Sequence, residues 1–148
     1  MRGPNQIVGK SYAGCAEALW FLTHTHPYRE IPDRPVAGRL VPYSDDSSKE
    51  IEGKLYELLP KSLLHPDTRY HPDRGFTTGR RRMLRLRTGD SMGIVSQSAG
   101  TLAAAGSTLD FVWLDEPPER KIFAEAQSRV LVRKGCLWLT LTPVGRPV

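Results

Sequence analysis

A chain of 148 residues, 39% hydrophobic and 25% charged, has the size of one domain and enough apolar content for a packed core, which excludes wholesale disorder. No apolar run approaches the ~18 residues of a membrane-spanning helix, and Met1-Arg2-Gly3-Pro4-Asn5 lacks the apolar stretch of a signal peptide, so no membrane partner is expected. The charge balance, 21 Lys and Arg against 16 Asp and Glu for a net +5, permits a polyanionic partner without requiring one.

The chain opens on a Gly/Pro/Asn-rich segment, Gly3 to Gly9, that reads as a loop. A helix is predicted from Ser11 to about Thr23, ended by His26-Pro27, because the residue before proline avoids the helical region. Pro27 to Tyr43 is a Pro-rich connection with one short strand, Gly38-Arg39-Leu40-Val41. Asp45-Asp46-Ser47-Ser48 offers caps for a second helix, Lys49 to Leu59, with Ile51, Leu55, Leu58 and Leu59 at helical spacing and Pro60 as its stop. Leu64 to Gly79 is turn-rich. Met83 to Arg87, Thr88-Gly89-Asp90-Ser91 and Met92 to Ser96 predict a hairpin whose first arm alternates apolar and basic residues. Phe111 to Leu114 is an uninterrupted apolar run, the pattern of a strand buried on both faces. Pro117-Pro118 opens a helix, Glu119 to Val132, and Leu137 to Thr142 is the last strand, stopped by Pro143.

Three short motifs carry candidate chemistry. Gly9-Lys10-Ser11 precedes a helix, where unpaired amides and the helix dipole favour an anion, a lysine reaches outer phosphates, and a hydroxyl ligates Mg²⁺. Gly3 precedes Gly9 by one residue more than the usual phosphate-loop spacing, and a solvated turn lysine is the plain alternative. In Phe111-Val112-Trp113-Leu114-Asp115-Glu116 a buried strand exits into two acids: Asp115 suits Mg²⁺ and Glu116 suits orienting or deprotonating an attacking water. The alternative is an acidic helix start before Pro117-Pro118. Thr140-Leu141-Thr142-Pro143 ends the following strand, where a hydroxyl can sense a γ-phosphate or simply suit a strand edge.

The basic run Arg80-Arg81-Arg82, with Arg85 and Arg87, fits contact with DNA phosphates or a solvated hairpin face that protects an edge. Cys15 and Cys136 form no CxxC pair and read as two buried reduced thiols. His24, His26, His65 and His71 read as loop histidines rather than metal ligands.

Leu109-Asp110-Phe111-Val112-Trp113-Leu114-Asp115-Glu116-Pro117-Pro118 resembles the second nucleotide-binding motif of the large terminase subunit of tailed bacteriophages. Gly3-Pro4-Asn5-Gln6 with Gly9-Lys10-Ser11-Tyr12-Ala13-Gly14 resembles the phosphate loop of that family, and Leu139-Thr140-Leu141-Thr142-Pro143 its coupling motif. The resemblance implies an α/β, RecA-like P-loop NTPase core of the additional-strand type, with a mostly parallel sheet flanked by helices. It implies one terminase ATPase core over residues 1–148, lacking the strand before the phosphate loop and the C-terminal nuclease domain. The implied activity is Mg-ATP hydrolysis driving double-stranded DNA into a procapsid, in the host cytoplasm, by a homo-oligomeric ring working with a portal protein and a small terminase subunit. It assigns nucleotide binding to Asn5, Gln6, Gly9, Lys10 and Ser11, Mg²⁺ to Ser11 and Asp115, and catalysis to Glu116 and Lys10. Coupling falls to Thr140 and Thr142, and a possible sensor role to Arg129. The rival expectation is a nucleotide-inactive module of the same fold that binds DNA or partners; another P-loop DNA motor, such as a helicase, is a third.

Overall fold

The computed structural model describes residues 4–97 and 107–141, with side chains from residue 10 onward. In chain order the elements are α1 (Pro4–Thr23), β1 (Ala37–Val41), α2 (Asp45–Leu58), β2 (Thr68–His71), β3 (Gly75–Thr78), β4 (Met83–Arg85), β5 (Ser91–Ile94), β6 (Phe111–Asp115), α3 (Arg120–Leu131) and β7 (Cys136–Thr140). Five strands form one sheet in the order β4-β5-β1-β6-β7, all parallel except β4, which pairs antiparallel with β5. β2 and β3 form a separate hairpin. The architecture is therefore α/β with a mostly parallel sheet flanked by helices, and no described helix is long and apolar enough to cross a membrane.

Strand alternation sorts the core into two layers. Phe111 and Trp113 of β6 and Leu40 of β1 pack with Cys15, Ala18, Phe21 and Leu22 of α1 and with Ile51 and Leu55 of α2. Val112 and Leu114, one residue out of phase, pack with Val41 and with Ile122, Ala126 and Val130 of α3. All five residues of β6 are buried, as the apolar run predicts. α1 lies close over that strand: a methyl group built on Gly14 would stand 2.1 Å from the Trp113 ring, so only glycine admits this approach. Four residues before Gly14 on the same helix is Lys10, and seven beyond it is Phe21, whose ring lies 5.0 Å from that of Phe111. α1 thus runs antiparallel to β6, with Lys10 delivered to the strand's carboxyl end.

Several boundaries differ from expectation. α1 begins at Pro4, not Ser11, so the segment expected to be a phosphate loop is helical from residue 4. Proline at the first helical position has its φ preset and no amide to satisfy, and a single interior glycine costs only about 1 kcal/mol, so this composition also suits a helix start. Nor does His26-Pro27 end α1. His24 adopts φ 59°, with His24 N–H donating to Phe21 O at 3.2 Å and Thr25 N–H to Trp20 O at 3.0 Å, the paired closure of a left-handed C-terminal cap. α2 is capped by Ser44, whose hydroxyl accepts from Ser47 N–H at 3.2 Å, so Asp45 and Asp46 occupy its first turn instead of preceding it. Strand Ala37–Val41 lies at the middle of the sheet, and the stretch expected to be turns contains the β2–β3 hairpin. The last strand is described to Thr140, and Thr142 lies outside the described residues.

Candidate functional site

The carboxyl ends of parallel strands are where an open α/β sheet gathers its exit loops, and so where its ligand sites form. Asp115 is the last residue of β6 and Thr140 the last of β7, and the two are direct partners in the β6–β7 register. Both side chains face α1, on the same side as Trp113 and Trp138. Lys10 Nζ stands 3.0 Å from Asp115 Oδ1 and 2.8 Å from Glu116 Oε2, so one ammonium joins two adjacent carboxylates more than a hundred positions away in sequence. Asp115 is 4% exposed. Burial works against the Lys10 ammonium, yet its hydrogen bonds to Glu116 and Asp115 and their charges outweigh that cost and hold it above the ordinary lysine range.

A hydroxyl relay fixes the aspartate. Trp113 Nε1–H donates to Thr140 Oγ1 at 2.8 Å, and Thr140 Oγ1–H donates to Asp115 Oδ1 at 3.0 Å. The indole N–H occupies one lone pair of the hydroxyl, whose single proton is then directed at the carboxylate. Every side-chain contact described for Asp115 falls on Oδ1. The strand exit is held as well: Glu116 N–H donates to Thr140 O at 2.8 Å, and Gln97 Nε2 donates to the carbonyls of Asp115 and Glu116, each at 3.2 Å. Glu116 has φ 72°, a left-handed conformation costly for a residue with a Cβ.

Ser11 is buried beside Lys10. Asn5, Gln6 and Gly9 lie in the first turns of α1: Gly9 is far enough in for its amide to bond four residues back, whereas the amides of Asn5 and Gln6 belong to the first turn, which has no intrahelical acceptors. Arg129 lies near the other end of β6, since its carbonyl accepts from Leu109 N–H at 2.8 Å, and its guanidinium bonds Glu125 and Ser107 O. The basic run is also divided: Arg82 grips the buried Glu52 with two nitrogens at 3.0 and 2.7 Å, Arg87 Nε donates to Ser62 O at 2.9 Å, and Arg80, Arg81 and Arg85 are exposed. Gln97 was missed by motif reading. Its only sequence signal is its position three residues past the end of a parallel strand.

Both cysteines are free; burial pushes the Cys15 thiol up to about 12, so it stays protonated and inert at neutral pH. No group of three or more His, Cys, Asp or Glu able to hold a metal occurs among the described residues. The three His-Pro pairs share one local use: Nδ1 of His26, His65 and His71 accepts the N–H two residues on, at 3.1, 3.0 and 3.1 Å. No protein-family model and no curated protein matches this chain.

Proposed function

We propose that this chain is the ATPase core of a DNA-packaging motor of the terminase type, hydrolysing Mg-ATP to move double-stranded DNA into a procapsid. The observation that carries the reading is the meeting of Lys10 with Asp115 and Glu116 at the carboxyl end of the central strands. The donor set suits the cofactor. Mg²⁺ retains several waters and takes one or two protein oxygens together with substrate phosphates, so the Asp115 carboxylate and the Ser11 hydroxyl would suffice to hold it. When bound, the ion supplies charge neutralisation at the β- and γ-phosphate oxygens. Lys10 binds and neutralises the outer phosphates, exchanging its two carboxylate partners for phosphate oxygens. Glu116 accepts a proton from the attacking water. Thr140, hydrogen-bonded to Asp115, passes a change at that carboxylate to β7. The portal protein, the small terminase subunit, a homo-oligomeric ring and a host-cytoplasmic setting belong to the same proposal.

Titration calorimetry with Mg-ATP, paired with phosphate release, tests the reading. Lys10→Ala should lose binding and turnover, whereas Glu116→Gln should bind Mg-ATP and fail to turn it over. Normal turnover by Glu116→Gln would overturn the role of Glu116.

A second reading draws on the start of α1 at Pro4, which makes residues 4–9 helical in place of the loop expected to wrap phosphates. On this reading the chain is a nucleotide-inactive module of the same architecture that acts by binding DNA or terminase partners. Absence of Mg-ATP binding up to millimolar concentration would decide for it.

A further inference from the structure

The acidic exit of β6 is held from a strand that is not its neighbour. β5 and β6 lie on either side of β1, two strand spacings or roughly 10 Å apart. The parallel ladder between β5 and β1 continues past both strands, with Val95 N–H donating to Leu40 O at 3.0 Å and Gln97 N–H to Pro42 O at 2.9 Å. From there the Gln97 side chain passes the exit of β1 and reaches that of β6, where its Nε2 donates to Asp115 O and to Glu116 O, each at 3.2 Å. We propose that Gln97 is a positioning residue for Glu116: by gripping two consecutive carbonyls it holds the left-handed exit of β6 and so aims the Glu116 carboxylate at Lys10.

The geometry is specific. Consecutive carbonyls of an extended strand point to opposite sides. They converge on one nitrogen only where the residue between them leaves the extended form, and that residue is Glu116, with φ 72°. A side-chain amide carries two N–H donors, one for each carbonyl. On the other side Glu116 N–H is taken by Thr140 O at 2.8 Å. The backbone of Glu116 is thus clamped from the β5 side and from β7 at once, and a costly conformation persists where its surroundings over-determine it. Its carboxylate then meets Lys10 Nζ at 2.8 Å. Gln97 engages backbone carbonyls alone in its described hydrogen bonds, so its loss takes no partner directly from the side chains of Lys10, Ser11 or Asp115.

The consequence for turnover rests on the ATPase reading, whereas the aiming of Glu116 does not, and the two are measured apart. Gln97→Met keeps the length of the side chain and removes both donors. The first measurement needs no nucleotide: a double-mutant cycle of Lys10→Met and Glu116→Ala in urea denaturation, run with Gln97 and with Gln97→Met. The coupling between Lys10 and Glu116 should fall by at least about half without Gln97; coupling left unchanged overturns the proposal. The second is steady-state hydrolysis of Mg-ATP. Gln97→Met should lower kcat about tenfold or more, with KM within about twofold of wild type, because the base is misaimed while the groups assigned to phosphate and metal remain. A raised KM with unchanged kcat overturns the positioning role. Where Gln97→Met does not fold, Gln97→Asn, which keeps the amide and loses its reach, takes its place in both measurements. If the wild-type chain turns over no Mg-ATP, the ATPase reading fails and the coupling cycle alone decides for or against Gln97.

Discussion

Two buried carboxylates, Glu52 and Asp115, are paired with cations in opposite ways, and the contrast separates scaffold from site. Glu52 on α2 is fully buried, and both its oxygens are occupied. Oε1 accepts from Phe76 N–H at 2.7 Å and Arg82 at 3.0 Å, and Oε2 accepts from Ser48 Oγ at 2.5 Å and Arg82 at 2.7 Å. A planar guanidinium fork in two-point contact is a rigid partner. This node ties the β2–β3 hairpin to α2, and Gly75, with φ 76°, leaves room for the carboxylate where a Cβ would stand 2.2 Å from it. Asp115 instead holds its described side-chain contacts on one oxygen, and its cation is the point charge of a flexible lysine. Saturated, rigid pairing serves folding; half-used, exchangeable pairing suits a ligand that must arrive and leave.

The largest effect that would test this contrast is on stability. Glu52→Ala leaves the Ser48 hydroxyl, the Phe76 amide and Arg82 without their acceptor and should cost about 3–5 kcal/mol in urea denaturation. Asp115→Asn keeps an acceptor oxygen for Thr140 and should cost less than about 1.5 kcal/mol. Equal costs would erase the distinction. Next in size, Gly14→Ala presses a methyl group into Trp113 and should cost about 1–3 kcal/mol. Because Gly14 also sets the approach of α1, this variant should weaken Mg-ATP binding, whereas an equally destabilising change in the β2–β3 hairpin should not.

Legibility in the sequence followed the same division. β6 and the acids at its exit are legible because a short unbroken run rich in aromatic and β-branched residues suits a strand covered on both faces, and acids at its end are conspicuous. β1 was harder to place: its five residues sit in a Pro-rich connection and include the buried Arg39, whose charge masks a central strand. The β2–β3 hairpin was hidden because Thr68, Tyr70, Phe76 and Thr78 are scattered among turn formers, and its stability comes from Glu52, Arg82 and the stacked Tyr56 and Tyr70 rings. The start of α1 was misread for a local reason: proline and glycine mark loops, yet proline also opens helices. The relay from Trp113 through Thr140 depends on strand register, which no short motif encodes.

The charge nodes should also part along the pH axis. Burial alone would raise the Asp110 carboxyl above its ordinary value of 3.8. Hydrogen bonds from Arg34 and Ala37 N–H and the charges of Arg34 and Arg133 outweigh it and depress it. A depressed carboxyl stabilises the fold above its unfolded value and loses that contribution as pH falls through the folded value. Asp110→Asn should therefore flatten the acid limb of a Tm-against-pH profile. Lys10 is raised above 10.5, so its contribution is complete below that value and is lost as pH rises through the folded one. Lys10→Met should flatten the alkaline limb, and an alkaline limb unchanged in that variant would contradict the assignment.

The smallest effect tests whether the site stores strain. Glu116 holds φ 72°, a region that costs a residue with a Cβ about 1–2 kcal/mol and glycine almost nothing. Glu116→Gly removes this cost and loses the Lys10 contact, while Glu116→Ala loses the contact and keeps the strain. The glycine variant should therefore melt above the alanine variant by about 2–4 °C, after allowance for the greater freedom glycine gives the unfolded chain. Both should lack turnover. Equal melting temperatures would mean that the left-handed exit of β6 is unstrained, and that the carboxylate of Glu116 reaches Lys10 without the fold having given up stability to aim it.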